Sequence, residues 1–223
     1  MRQIVTLLIT VFLIGCSNKI KNLDGFKLLP PVQKIEYNND LSNLNFENIK
    51  FAHSDNNTEL PIRFDFTNHI ENNKQIESTI DYSIESNLNL NEEGYILNIF
   101  KNKISIIAKD EGGLFYAFIT LDQLLEDSKD KNVNLPMVSI KDYPLLKFRP
   151  IHLDVKHHME KKSYYFNLID HLAKQKINGI IVEFEDKLKY ELRPEIGAPD
   201  APSIDWWIEI SEYANKRNIM INP

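Results

Sequence analysis

The chain reads as an α/β protein in two parts: an α+β N-terminal domain, in which a sheet is packed by a helix, followed by the first βαβαβ portion of a (β/α)8 TIM barrel. Three observations lead to the two-part organisation and its βαβαβ second half. From Phe26 to Tyr143, short alternating or apolar runs lie between Asn and Asp clusters, which is the texture of strands and turns. After Gly112 and Gly113, the residues Leu114, Ala117, Phe118, Leu121, Leu124 and Leu125 recur at spacings of three and four, the period of an amphipathic helix. From Phe148 onward strand and helix patterns alternate, as they do in units that build a parallel sheet.

The chain opens on Arg2 and an apolar run from Ile4 to Ile14, broken only by Thr6 and Thr10. This is short for a membrane span and stands where an export signal stands, so residues 1–15 are read as a signal peptide. Leu13-Ile14-Gly15-Cys16-Ser17 resembles the box at which bacterial lipoproteins are cleaved and acylated. Cys16 is then the attachment point to the lipid bilayer, residues 16–25 form a polar tether, and the expected location is the cell envelope. Cys16 is the single cysteine. Once acylated, it leaves the mature chain no thiol for a disulfide, a thiolate nucleophile or a cysteine metal site. The formal charge of -6, with lysine and glutamate evenly spread, offers nucleic acid no basic track, and that partner is excluded.

In the first domain, residues 26–143, strands are expected at Lys34 to Tyr37, Ile62 to Phe66 and Thr79 to Ile84. Gly94 to Phe100 and Ile104 to Ala108, linked by Lys101 to Lys103, read as a hairpin. The two glycines are expected to turn the chain from strand into helix. Asp127 to Asn134 reads as a charged loop, and Pro136 to Ile140 as a further strand. Pro144, which restricts Tyr143, marks the boundary to a second part at residues 144–223. There Arg149 to Val155, Gly179 to Phe184 and Ile219 to Ile221 read as strands, with helices from Ser163 to Gln175 and after Asp205, the latter with Lys216 and Arg217 in its last turn. A long polar loop runs from Glu185 to Ser203. Two and a half such units do not close a barrel, so the three strands are expected to be an incomplete one.

These runs resemble the glycoside hydrolases that act as β-N-acetylhexosaminidases. The resemblance is carried by Leu28-Leu-Pro-Pro-Val-Gln33, Glu93-Gly-Tyr-Ile-Leu-Asn-Ile99, Gly113 to Leu125, Val138 to Pro144, and Phe148-Arg-Pro-Ile-His-Leu-Asp-Val155. It implies that the βαβαβ part is the start of a (β/α)8 TIM barrel. It also implies hydrolysis of terminal N-acetylhexosamine from glycans, in which the acetamido oxygen of the substrate attacks the anomeric carbon while a Glu protonates the leaving oxygen and an Asp steadies the intermediate. No cofactor or metal is implied. The family's catalytic Asp-Glu pair falls beyond Pro223, so no catalytic residue is expected in this chain.

The resemblance further implies substrate contacts at Arg149, through the hydroxyls of the terminal sugar, and at Asp154 and Asp186. An inter-domain salt bridge is the alternative for Arg149. The sequence departs from the family at Pro150, at His157, and in Glu183-Phe-Glu-Asp-Lys187, where only Asp186 keeps the pattern. Glu183, Glu185 and Asp186 form a carboxylate group at a strand end that could support acid-base chemistry, although an exposed acidic loop is the commoner meaning. His157, His158 and Asp154 lack the spacing of a zinc site. Trp206 and Trp207 could stack on a sugar, but helical placement favours packing.

Overall fold

The computed structural model describes residues 25–44, 46, 49–53, 78–156 and 158–223. Cys16, the signal and nearly all of the tether, the strand expected at Ile62 to Phe66, and His157 lie outside the described residues. The architecture is a mixed α/β one: a six-stranded sheet carrying a long helix, then a three-stranded parallel sheet flanked by two helices, an open start of a (β/α)8 barrel.

The first sheet contains β1 (Lys34–Leu41), β2 (Ile49–His53), β3 (Ser78–Ile84), β4 (Tyr95–Ile99), β5 (Lys103–Ala108) and β6 (Pro136–Asp142), in the order β1-β6-β4-β5-β3-β2. β4 and β5 form the expected hairpin, with Ile99 opposite Ile104 and the Phe100 amide donating to the Lys103 carbonyl at 2.8 Å. β2 and β3 add in parallel beyond β5. Strand alternation sends Ile80, Tyr82, Tyr95, Leu97, Ile99, Ile104, Ile106, Val138 and Ile140 to one face, where all are buried.

Helix α1 (Glu111–Lys131) covers that face with Leu114, Phe118, Leu121 and Leu125. Phe118 meets Tyr82 edge to face at 6.1 Å. The helix continues past the point where the sequence suggests a charged loop at Asp127 to Asn134. Its last turns carry a polar outer face, Lys129 and Lys131 suit the negative end of the helix dipole, and Asn132 ends it in the left-handed conformation at φ 51°.

Gly112 and Gly113 also act differently from the expectation. Both lie within the helix, and no described glycine has a positive φ. The turn is made by Asp110, whose carboxylate caps the helix by accepting from the Gly113 amide (2.8 Å) and also accepts from the Glu93 amide (2.8 Å). What Gly113 supplies is closeness, because a Cβ there would collide with the backbone of Glu93 and Gly94.

The second sheet has β7 (Pro150–Asp154), β8 (Gly179–Glu183) and β9 (Met220–Asn222), all parallel. They are linked by α2 (Lys162–Lys174) and α3 (Ile204–Asn215). α3 starts one residue before Asp205 with Ser203 as its cap, and Lys216 and Arg217 fall just beyond its end rather than in its last turn. Ile180 and Val182 are buried with Ile169, Ala173, Ile210 and Ala214 of the helices, whereas Ile181, on the opposite strand face, is exposed. Each αβ connection returns the chain to the amino-terminal ends of these strands, and the first sheet and α1 pack at that end.

Replacing Gly113 with Ala forces the α1 start away from the Glu93–Gly94 turn. We expect a loss of about 1–3 kcal/mol in urea unfolding of the full chain, the range for overpacking at a close contact, while Gly112→Ala, which meets only side-chain atoms, costs less.

Candidate functional site

At the carboxyl ends of the barrel strands, register decides which side chains meet. β7 and β8 pair with Asp154 opposite Glu183, so the two carboxylates share one face. Lys156, two residues beyond Asp154, turns its ammonium into them. Its Nζ lies 3.0 Å from Glu183 Oε1, 3.5 Å from Asp154 Oδ2 and 3.6 Å from Glu185 Oε1. The hydrogen bond to Glu183 holds the lysine above its ordinary range; desolvation opposes it, and the charges of Asp154, Glu183 and Glu185 add to the upward shift. His152 adds a contact from Nε2 to Glu183 Oε2 at 3.2 Å.

Glu185 reaches this group by a different route from strand alternation. β8 ends at Glu183, and Glu185 adopts a left-handed backbone at φ 44°. Asp186 is at the same end, but its carboxylate pairs with neighbouring Lys187 at 3.1 Å, and its carbonyl accepts from the Ala198 amide as the long loop folds back. The arrangement binds a cation, here the protein's own lysine, and offers carboxylate oxygens toward the open face. Among the described residues, no three His, Cys, Asp or Glu side chains converge as metal ligands. His158 is exposed and bonded to Glu160 at 2.7 Å.

The rim of this end is aromatic. Trp207 is buried against Phe184 (ring centroids 4.7 Å apart) and Tyr165 (5.5 Å), and its indole N–H donates to the Lys187 carbonyl at 3.3 Å. Trp206 lies edge-on to Tyr165 with the Lys162 ammonium over its ring. Both tryptophans therefore anchor α3 to α2 and to the long loop.

Arg149 is at the other end of β7. The four steps from Pro150 to Asp154, at about 3.3 Å each, put roughly 13 Å between the two ends of that strand, so Asp154 and Asp186 share a region that Arg149 does not. The guanidinium fills the seam between the two parts. Nη2 donates to Glu93 Oε2 (2.6 Å) and Tyr116 Oη (3.2 Å), Nε to the Lys176 carbonyl (2.8 Å), and Nη1 to the Leu146 carbonyl (2.7 Å). This is the inter-domain salt bridge that stood as the alternative for Arg149. Glu93, itself at φ 59°, also accepts from Asn178 Nδ2 (3.2 Å) and Asn218 Nδ2 (3.0 Å).

Beside it, Lys176 Nζ enters the first sheet and donates to Asp142 Oδ2 (2.7 Å) and Tyr95 Oη (2.9 Å), and Tyr95 bonds Asp142 (2.9 Å) and Thr120 (2.5 Å). Burial lowers the lysine's pKa while Asp142 opposes that. None of Lys156, Glu93 or Lys176 is singled out as a site residue in the sequence, because their principal partners, Glu183, Arg149 and Asp142, are remote in the chain.

Fold and seam together define a pairing of an α+β domain with the opening strands of a (β/α)8 barrel. A sequence model of the family described as glycosyl hydrolase family 20, domain 2, matches residues 27–143, just over half of the chain, and the chain belongs to that family. A β-hexosaminidase of Porphyromonas gingivalis is 39% identical over 107 residues, covering 45% of this chain and 14% of that protein. One of Vibrio vulnificus is 29% identical over 99 residues, covering 44% of this chain and 11% of that protein. The chain thus spans a small part of the length of these relatives. Among solved structures, the β-N-acetylhexosaminidase of Bacteroides fragilis superposes with a TM-score of 0.70 at 21% identity, covering 87% of this chain and 43% of that one. The Flavobacterium johnsoniae chitobiase gives 0.65 at 23%, covering 87% and 33%. At such identities the likeness is one of fold.

The seam sets an alkaline limit on stability. Burial, then the Glu93 charge, push the Tyr116 hydroxyl up to about 12 from its ordinary 10.0, and burial raises Tyr95 well above the same value. A raised folded pKa contributes stability that is complete below pH 10 and lost as pH rises through the folded value. For Tyr116 that is about 2–3 kcal/mol. Lys176, lowered, runs the other way, but its change is complete by its ordinary 10.5. Unfolding free energy should therefore fall between about pH 10.5 and 12, more steeply than in Tyr116→Phe, as measured by urea titrations across that window.

Proposed function

We propose that this chain is the N-terminal domain and opening barrel strands of a β-N-acetylhexosaminidase-type glycoside hydrolase, tethered to the cell envelope through acylated Cys16. The whole protein removes terminal N-acetylhexosamine from glycans by the substrate-assisted route, in which the acetamido oxygen displaces the protonated leaving group. The observation that carries this reading is the family match over residues 27–143 followed directly by parallel strands with acidic ends. Asp154 and Asp186, at those ends, are assigned to contact the sugar, and the catalytic Asp-Glu pair belongs to a later strand.

A second reading, a non-catalytic glycan-binding module, is favoured by one feature: the nearest carboxylates are already tied to Lys156 and His152. The longest product of the coding DNA should release p-nitrophenol from p-nitrophenyl N-acetyl-β-glucosaminide, and Asp186→Asn should lower kcat/KM at least tenfold. Absence of turnover in that product would favour the module.

Arg149→Ala in the same protein is expected to lower the thermal midpoint through the seam. A rise in KM with unchanged stability is instead the result that direct sugar contact by Arg149 would give. For the anchor, cells fed an alkyne fatty acid should label the wild-type protein, and Cys16→Ser should abolish the label.

A further inference from the structure

The seam encloses a cavity of about 240 Å³ at the amino-terminal ends of the barrel strands, opposite the acidic end described above. Its walls include Pro30, Pro31, Pro144, Leu145 and Leu146. Proline rings change shape little, so these walls are largely preformed. Leu145 and Leu146 stand 76% and 68% exposed at the border.

Lys176 lines the same cavity, with its side chain 8% exposed. An ammonium has three hydrogens. Its bonds to Asp142 and Tyr95 engage two of them. The third is a buried donor without an acceptor among the described residues, and leaving such a donor unmet is costly. The remaining charges in the lining, Arg149 with Glu93 and Lys176 with Asp142, cancel in pairs. The cavity accordingly offers one buried ammonium donor beside the more exposed polar ends of Gln33 and Tyr143, with mostly apolar walls and no net charge.

We propose that this cavity is a second, non-catalytic binding site for a neutral acylamino monosaccharide. The amide carbonyl accepts from Lys176 Nζ, and the methyl group and the apolar face of the ring lie against the prolines and leucines. Balanced charge favours a neutral acceptor over a carboxylate or a phosphate, and the volume, below the usual 300–1,000 Å³ of drug-sized pockets, suits a single ring. The choice of an acetamido sugar as occupant rests on the reading under Proposed function, whereas the cavity and its donor do not. Such a site would let the reaction's own monosaccharide product tighten the joint between the two parts.

The test is amide-shift mapping by NMR on the full chain titrated with N-acetylglucosamine, with glucose as the ligand lacking the acetamide. Saturable shifts at Leu145, Leu146 and Lys176 that persist in Asp186→Asn are expected, with glucose at least tenfold weaker. Lys176→Met should weaken binding tenfold or more. Because that change strands Asp142 and can unfold the chain, Leu146→Trp, which blocks the mouth from an exposed position, is the second variant and should abolish the seam shifts. Shifts confined to Asp154, Glu183 and Asp186 would overturn the proposal while leaving the hydrolase reading intact. Absence of saturable seam shifts, or seam shifts unchanged in Leu146→Trp, would mean that the cavity holds water only and would also overturn it. Failure of the complete product to hydrolyse the chromogenic substrate bears on the hydrolase reading alone.

Discussion

A lysine ammonium almost removed from water must find its compensation inside the protein, and in this chain Lys176 finds it in another part of the fold. Asp142 and Tyr95 belong to the first sheet, while Lys176 comes from the connection that leads into β8. Neither group could be buried without the other, since breaking a buried pair typically costs about 3–5 kcal/mol through the charge left behind. The six-stranded sheet and the barrel strands are in this sense a single structural commitment. Their apolar cores run together as well, from Tyr95 and Leu124 through Ile169 and Ile180 to Ile219.

The second half of the joint is Glu93. Its carboxylate gathers Arg149, Asn178 and Asn218, which come from the segments before β7, β8 and β9. One side chain thus references all three barrel strands to the turn that Asp110 holds at the start of α1. Gln123 extends the joint on the outer side of α1, where it bonds the Leu29 backbone twice and the Lys174 carbonyl once. This leaves the carboxyl ends of the strands free of the first domain. There Lys156 gathers Asp154, Glu183 and Glu185, while Asp186 pairs with Lys187.

Much of the fold is legible because it repeats a local period. The hairpin of β4 and β5, helix α1 and the alternation of β7, α2, β8, α3 and β9 all follow from apolar spacing. The misreadings have local causes too. The last turns of α1 are polar because they face outward, and polarity alone resembles a loop. The two glycines look like a hinge in sequence, yet Asp110 makes the turn and Gly113 is small so that Gly94 can approach. Strand β2 escapes notice because its pairing with β3 is parallel and at the edge, where no hairpin announces it.

By itself the sequence determined the two-part organisation, the parallel βαβ character of the second part and its family resemblance, since these rest on periodicity and on contiguous runs of residues. Tertiary structure alone decided where charge goes. Arg149 is separated from Asp154 and Asp186 by the length of a strand and spent on Glu93, Lys156 is set among three carboxylates, and Lys176 is driven into the neighbouring sheet. Electrostatic pairing depends on distances across the fold, and those distances are set by register and packing between segments that can be far apart in the chain, such as Glu93 and Asn218.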